Sequence, residues 1–317
     1  MEESKAPRIL VIKLSALGDM VMAMAAFQAI RRAHPEAHIT LLTTPPYRGL
    51  VEGSGCFDEI WAAKRPSRWR PWEEAGLARR LRGGAFTRIY DLQWSALTER
   101  LFRALGAAPP DWVGVAPGCA YFYPDRKAAK HIVERHKEAL ALAGIEVPER
   151  ADFAYLKADL PAELSDSFAL VVPGGSPRRQ GKRWPVPRYL ELCRRLAAEG
   201  LEPVLIGGPA EAQIIAALRQ GCPEARHYQT DWALLAALAR KARVAVGNDT
   251  GPQHLIAAVG CPTVVLFGSE SDPLRIAPRG QVQVLRSERL SELTVEEVHQ
   301  GVQELLRPPP GEAVHSG

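Results

Sequence analysis

Arg8-Ile-Leu-Val-Ile-Lys-Leu14 runs into Ser15-Ala-Leu-Gly-Asp19, and an apolar stretch from Met20 to His34 follows. The first segment is short, branched and apolar, as a strand buried on both faces requires. The last has its apolar positions at helical spacing, and the five residues between form a turn. Strand, tight turn and helix in that order is the opening unit of a parallel sheet with helices on its faces.

The same alternation continues outward. Strands are expected at His38–Thr44, Asp58–Ala62 and Thr87–Leu92, with helices around Trp72–Arg82, Ala96–Leu105 and His131–Ala143. Gly106–Pro124 is rich in Pro and Gly and reads as irregular. Pro148–Asp166 mixes charges with prolines and reads as a linker. The pattern then restarts with a strand at Phe168–Val172, a helix over Val186–Glu199 closed by Gly200, and a strand at Glu202–Ile206. Helices at Ala210–Arg219 and Leu234–Lys241, strands at Val244–Val246 and Thr263–Phe267, a helix at His254–Val259 and a last helix at Val295–Leu306 complete it. Thr294 and Glu297 have capping-box spacing before that last helix. The fold class is therefore α/β, with two Rossmann-like doubly wound parallel-sheet domains. Their expected bounds are 1–160 and 161–307, followed by a tail over 308–317.

Composition agrees. A chain of 317 residues is long for one core and suits two domains. At 46% hydrophobic and 24% charged it is an ordinary globular chain, and a net charge of +4 is small for a dedicated nucleic-acid binder. Cys56, Cys119, Cys193, Cys222 and Cys261 are scattered, with no Cys-x-x-Cys, which argues against a zinc site and a disulfide framework. The polar start lacks a signal-peptide apolar region, and no run of ~18 apolar residues offers a membrane span. A cytoplasmic location is expected.

Three loops at strand ends carry the candidate chemistry. Ser15 and Gly18 shape the first, where Gly18 permits a sharp turn or close approach of a ligand. Asp19 at the helix start reads two ways, as a cap for free amides or as a general base facing a crevice. The second is Pro173-Gly-Gly-Ser-Pro-Arg-Arg-Gln-Gly-Lys-Arg-Trp-Pro185. Gly174, Gly175 and Ser176 offer amides and a hydroxyl, and Arg178, Arg179, Lys182 and Arg183 offer cations, a set suited to a diphosphate. It is not an ATPase P-loop, because Gly175 and Gly181 enclose five residues and Arg183 follows the lysine. The competing reading is a solvated charged loop. Glu211, in Gly207-Gly-Pro-Ala-Glu211, can hold ribose hydroxyls or favour a helix start. The third loop is Val246-Gly-Asn-Asp-Thr-Gly-Pro-Gln-His254. Asp249 can bond sugar hydroxyls, Thr250 and Gly251 lead into a helix whose amides suit an anion, and His254 is either a ligand contact or a satisfied core histidine. Gly-x-Gly-x-x-Gly and Asp-x-Asp are both absent, so neither a dinucleotide fingerprint nor a metal-bridged diphosphate is expected, and no metal or cofactor is assigned.

Taken in order, these segments resemble glycosyltransferase family 9, the ADP-heptose:lipopolysaccharide heptosyltransferases. The resemblance rests on Ile9–Asp19 continuing through Ala29–Pro35, Tyr90-Asp-Leu-Gln93, Lys182-Arg-Trp-Pro185, Gly207–Glu211, Asp249-Thr-Gly251, His254–Ala258 and Pro262–Gly268. It implies a GT-B fold with facing domains, acceptor bound by the N-terminal one and donor by the C-terminal one, and metal-free inversion at the anomeric carbon. By position, Asp19 resembles the family's base, Lys182 its phosphate lysine, Glu211 its ribose contact, and Asp249 with Thr250 and Gly251 its donor contact. Gly268-Ser-Glu-Ser-Asp-Pro273 departs from the usual Gly-Pro-Thr-Asp-Pro by inserting the carboxylate of Glu270, and Asn248 precedes the Asp249 motif. The implied partners are ADP-heptose, a lipid-linked phosphorylated saccharide and, through the basic stretches Lys64–Arg103 and Arg126–Lys137, the inner face of the cytoplasmic membrane. Three alternatives stay open at this point: a GT-B transferase using another nucleotide sugar, a non-hydrolysing sugar-nucleotide epimerase, and a non-catalytic nucleotide or lipid-sugar binding protein.

Overall fold

A computed structural model describes residues 6–66, 70–125, 129–175 and 180–307. Ser176, Arg178, Arg179, Arg126 and the tail 308–317 lie outside the described residues. The chain divides into two compact units, Met1–Tyr155 and Leu156–Gly317, and the division falls within the proline-rich stretch 148–166.

Unit 1 runs β1 (Arg8–Ile12), α1 (Leu17–Ala33), β2 (His38–Thr43), α2 (Arg48–Val51), β3 (Glu59–Ala62), α3 (Pro71–Gly83), β4 (Arg88–Asp91), α4 (Ala96–Ala104), β5 (Asp111–Gly114), β6 (Tyr121–Phe122) and α5 (Ile132–Ala141). Its six strands are all parallel, in the order β3-β2-β1-β4-β5-β6. β1 lies inside the sheet with Ile9 to Ile12 buried, which is why it reads as an unbroken apolar run. Leu10, Ile12, Leu42 and Ile89 share one core with Leu77, Leu81, Leu97 and Leu101 of α3 and α4. α1, nearly all of whose apolar residues are buried, packs with α5.

Unit 2 runs β7 (Phe168–Val172), α6 (Val186–Ala198), β8 (Glu202–Ile206), α7 (Ala212–Gly221), β9 (Arg226–Tyr228), α8 (Trp232–Lys241), β10 (Val244–Asn248), α9 (Gly251–Ala258), β11 (Thr263–Phe267), α10 (Pro273–Ile276), β12 (Val282–Arg286) and α11 (Val295–Leu306). The order is β12-β11-β10-β7-β8-β9, again all parallel. Renumbered within its own unit, this is the same order as in unit 1. In both, the chain winds outward from the central strand in one direction and then returns to wind in the other. The strand carboxyl ends on either side of that reversal, β1 and β4 in unit 1 and β7 and β10 in unit 2, are where wound sheets bind ligands.

Several expectations need correction. Gly106–Pro124 is not wholly irregular, since it holds β5 and β6, strands of four and two residues that are too short to show a period. β9 and β12 were not expected either, because as partly buried edge strands they keep polar residues. α1 begins at Leu17 instead of Met20, which puts Gly18 inside the first helical turn. Gly18 is absent from the positive-φ residues, so it does not make a sharp turn. α9 begins three residues early, at Gly251, with Pro252 in its first turn, where a missing N–H costs nothing. The capping box at Thr294 and Glu297 forms as expected, with the Thr294 side chain accepting from Glu297 N. Gly200 has φ +78 just past α6 and closes it.

Candidate functional site

In unit 2 the chain leaves β7 through Pro173 and Gly174, both buried, and returns through a single 3-10 turn, Gln180–Lys182, into Trp184 and α6. Trp184 anchors that return. It is 1% exposed, packs edge-on against Tyr189 with centroids 4.8 Å apart, and donates from Nε1 to Leu293 O at 2.8 Å. Lys182, two residues upstream, is thereby held at the strand ends, where its Nζ lies 2.6 Å from Asp249 Oδ2.

Asp249 follows β10 directly, with its side chain only 4% exposed. Burial alone would raise its pKa. His254 and Lys182 reverse that and hold the carboxyl at about 2. His254 Nε2 lies 3.9 Å from Oδ1, facing the carboxylate but too far for a good hydrogen bond. The buried hydroxyl of Ser271 also faces this carboxylate without completing a bond. Asp249 therefore stays ionised at neutral pH, matched by one lysine.

Around the pair lie polar atoms that the protein leaves unpaired. Thr250 Oγ1, both side-chain polar atoms of Gln253, and His254 Nδ1 are buried with no hydrogen-bond partner among the described residues. Leaving such groups unpaired costs free energy, and a cluster of them beside an ion pair marks a place built to receive something polar. His254 is thus buried, as a core histidine would be, but it is not satisfied. Lys182 has three donors and gives one to Asp249, and among the described residues no other partner takes the remaining two. The amides opening α9 face the same end of the sheet.

The remaining candidates fall into two pairs nearby. A Cβ on Gly174 would sit 2.8 Å from Glu211 Cγ, so the missing side chain is what lets Glu211 lie over this turn. Glu211 Oε2 accepts from Gly208 N at 3.0 Å, so the helix-start reading of this carboxylate holds for one of its oxygens. Gly175 is met by Arg183, whose Nη2 donates to Gly175 O at 2.5 Å while Nε has no partner among the described residues.

In unit 1 the strand ends carry a different set. Asp19 is half-buried, and its Oδ2 accepts from Ala16 N at 2.9 Å, across a loop whose Ser15–Ala16 peptide is cis. Alanine has no side-chain acceptor to return the bond, so only half of a capping box forms. Gln93, just past β4, accepts from Leu14 N at 2.7 Å and Ser15 N at 3.1 Å and so fixes the loop from the other side of the reversal. Lys13 is buried and donates to Leu92 O at 2.9 Å. Burial lowers its pKa, and Asp19 and Asp91 oppose that. Asp91 is wholly buried, accepts from Gln93 N and Trp94 N, and is pushed up to about 6, chiefly by burial.

The structure therefore brings Lys182, Asp249 and His254 together, with Thr250 and Gly251 adjoining, and sets Gly174 against Glu211. Ser15, Gly18 and Asp19 lie on the other unit. Sequence reasoning missed Gln253 and Ser271. It gave Asn248 no role and quoted Trp184 only as part of a motif. Gln253 carried a readable signal, a polar residue beside His254 at the start of a mostly apolar helix, four positions after Asp249.

Comparison with known proteins agrees with the fold. The family described as glycosyltransferase family 9 (heptosyltransferase) matches residues 75–300. Lipopolysaccharide heptosyltransferase 1 of Escherichia coli O18:K1:H7 is 24% identical over 320 residues, covering 94% of this chain and 97% of that protein. Among solved structures, a glycosyl transferase family 9 protein from Veillonella parvula superposes with a TM-score of 0.77 at 20% identity, covering 96% of this chain and 98% of its own. The E. coli heptosyltransferase WaaC with ADP superposes with a TM-score of 0.76 at 22% identity, covering 94% and 99%. The fold class is GT-B. Among the described residues no helix is long and apolar enough to cross a membrane.

Proposed function

The chain belongs to glycosyltransferase family 9, and on that footing we propose that it transfers a heptose from ADP-heptose to a lipopolysaccharide-core acceptor, with inversion and without a metal. The observation that carries this reading is the buried Lys182–Asp249 pair at the carboxyl ends of β7 and β10, ringed by unpaired polar atoms. Names of relatives supply the chemistry: several are lipopolysaccharide heptosyltransferases, and the WaaC structure holds ADP.

In this reading Lys182, Arg183, the Gly174 and Gly175 backbone and the amides opening α9 receive the diphosphate, together with Ser176. Asp249, Thr250, Gly251 and His254 take the sugar end, and the free oxygen of Glu211 takes the ribose. On unit 1, Asp19 accepts the proton of an acceptor hydroxyl held at the loop of Ser15 and Gly18. That oxygen attacks the anomeric carbon from the face opposite the diphosphate. The new carbon–oxygen bond forms as the bond to phosphate breaks, and ADP leaves with a charge that Lys182 and the helix amides neutralise. The acceptor is a lipid-linked phosphorylated saccharide. The enzyme works in the cytoplasm and meets the anionic inner face of the membrane through exposed cations such as Lys64, Arg65 and Arg79, with Trp72, 66% exposed, beside them in sequence.

A thermal-shift panel of ADP-, UDP- and GDP-sugars tests the donor. ADP-heptose is expected to raise Tm, since a ligand that binds only the native state stabilises it by mass action. A shift by UDP- or GDP-sugars alone would refute the ADP assignment. Turnover of donor without any acceptor would replace transfer with epimerisation.

A further inference from the structure

Asn248 ends β10 and is 0% exposed, yet all three of its amide hydrogen-bonding directions toward the neighbouring loop are used. Its Nδ2 donates to Pro173 O and to Gly174 O, both at 2.9 Å, and its Oδ1 accepts from Trp184 N at 3.0 Å. Pro173 and Gly174 are where the loop after β7 begins, and Trp184 is where it ends. One side chain therefore ties both ends of that loop to the neighbouring strand. The next residue, Asp249, takes hold of Lys182 between them. The strands are drawn close enough for this by Gly247, where a Cβ would stand 2.4 Å from Val172 O.

Only an amide carries two donors and an acceptor on so short a stem. A carboxylate has no donor, a hydroxyl has one, and Gln is a methylene longer. The bonds join backbone atoms whose positions decide where the Gly174 and Gly175 peptides and the Lys182 ammonium stand. Holding such groups in place before the ligand arrives saves the cost of ordering them on binding.

We propose that Asn248 is a positioning residue that fixes the two ends of the β7 loop, Pro173–Gly174 and Lys182–Trp184, where they receive the diphosphate, an inference that rests on the donor reading above. With its amide bonded to Pro173 O, Gly174 O and Trp184 N, Asn248 acts through the ends of the loop.

The test compares wild type, Asn248→Leu and Asn248→Ala. Both variants are neutral, so neither adds charge beside the anion. Calorimetric titration with ADP reads affinity and stoichiometry separately, and steady-state kinetics read donor KM against acceptor KM. Loss of the clamp is expected to raise the ADP Kd and the donor KM at least about tenfold, with the stoichiometry and acceptor KM unchanged. A merely structural role would instead lower Tm and reduce the stoichiometry through misfolded protein, while leaving the Kd of the folded fraction at the wild-type value. That result, in whichever variant folds, overturns the proposal. Failure of wild type itself to bind ADP overturns the donor reading together with this inference. Wild-type binding with unchanged variants overturns only the role of Asn248.

Discussion

Lys182→Met strips the cation from Asp249 and leaves the carboxylate buried, its former partner 2.6 Å away now apolar. Two routes give the size of the effect. The Asp249 carboxyl sits at about 2 against an ordinary 3.8, so by linkage it contributes about 2–3 kcal/mol to stability at neutral pH. The sign follows from the depressed value: this contribution is fully present above the unfolded pKa of 3.8 and is lost as pH falls through about 2. Removing one partner of a buried pair generally costs about 3–5 kcal/mol. His254 and Ser271 still face the carboxylate and retain part of that, so a loss of about 2–4 kcal/mol is expected. For a unit of this size it lowers Tm by roughly 6–12 °C. Neutralising the stranded charge in Lys182→Met/Asp249→Asn should recover most of the loss, while ADP affinity stays abolished in both variants. Thermal and urea unfolding followed by circular dichroism at pH 7, repeated below pH 4 where the gap narrows, measures the first effect, and calorimetry the second. A single variant within about 0.5 kcal/mol of wild type, or a double variant less stable than the single one, would refute the reasoning.

Other outcomes follow from the same geometry. Asp19→Asn keeps an acceptor for Ala16 N but loses the base, so transfer should fall at least about a hundredfold with ADP affinity near wild type; ordinary turnover would remove Asp19 from its role. Asp91 has a raised pKa of about 6, so its ionisation costs stability as pH climbs from 3.8 to 6. Asp91→Asn, which keeps the acceptor for Gln93 N and Trp94 N, should be more stable at pH 7 by up to about 3 kcal/mol and no different near pH 4, read from urea curves. Gly174→Ala places a methyl against Glu211 and should cost about 1–3 kcal/mol and weaken ADP binding; adding Glu211→Ala should restore the stability if that clash is the cause. Reversing Lys64, Arg65 and Arg79 to Glu should lower co-sedimentation with anionic vesicles several-fold, and unchanged sedimentation would exclude membrane contact through these cations.

What the sequence disclosed followed burial. β1, β7 and β11 lie within their sheets, and their unbroken apolar runs announce them. β6 has two residues and β9 reads Arg-His-Tyr, so neither has a period to detect, and the edges β6, β9 and β12 stayed hidden while the edge β3 showed. Lys182 and Asp249 stood out because charged residues at strand ends are chemically conspicuous. Their contact at 2.6 Å, across 67 positions of chain, is a property of the parallel register between β7 and β10 and of the Trp184 anchor. Asn248 showed least, because an asparagine beside a conspicuous aspartate reads as a spacer until its amide is seen reaching three backbone atoms.

The five thiols, all free and all buried, give the molecule a built-in record of its own breathing. Burial pushes Cys193 and Cys261 up to about 12, so in the closed state neither offers a nucleophile to an alkylating reagent. Labelling must wait for an opening event, and each site clocks its own neighbourhood: Cys56 and Cys119 in one half of the chain, Cys193, Cys222 and Cys261 in the other. Mass spectrometry of alkylated peptides over time would then rank the two halves by how often they come apart, and a nucleotide that slowed only the last three would be caught holding its own half shut.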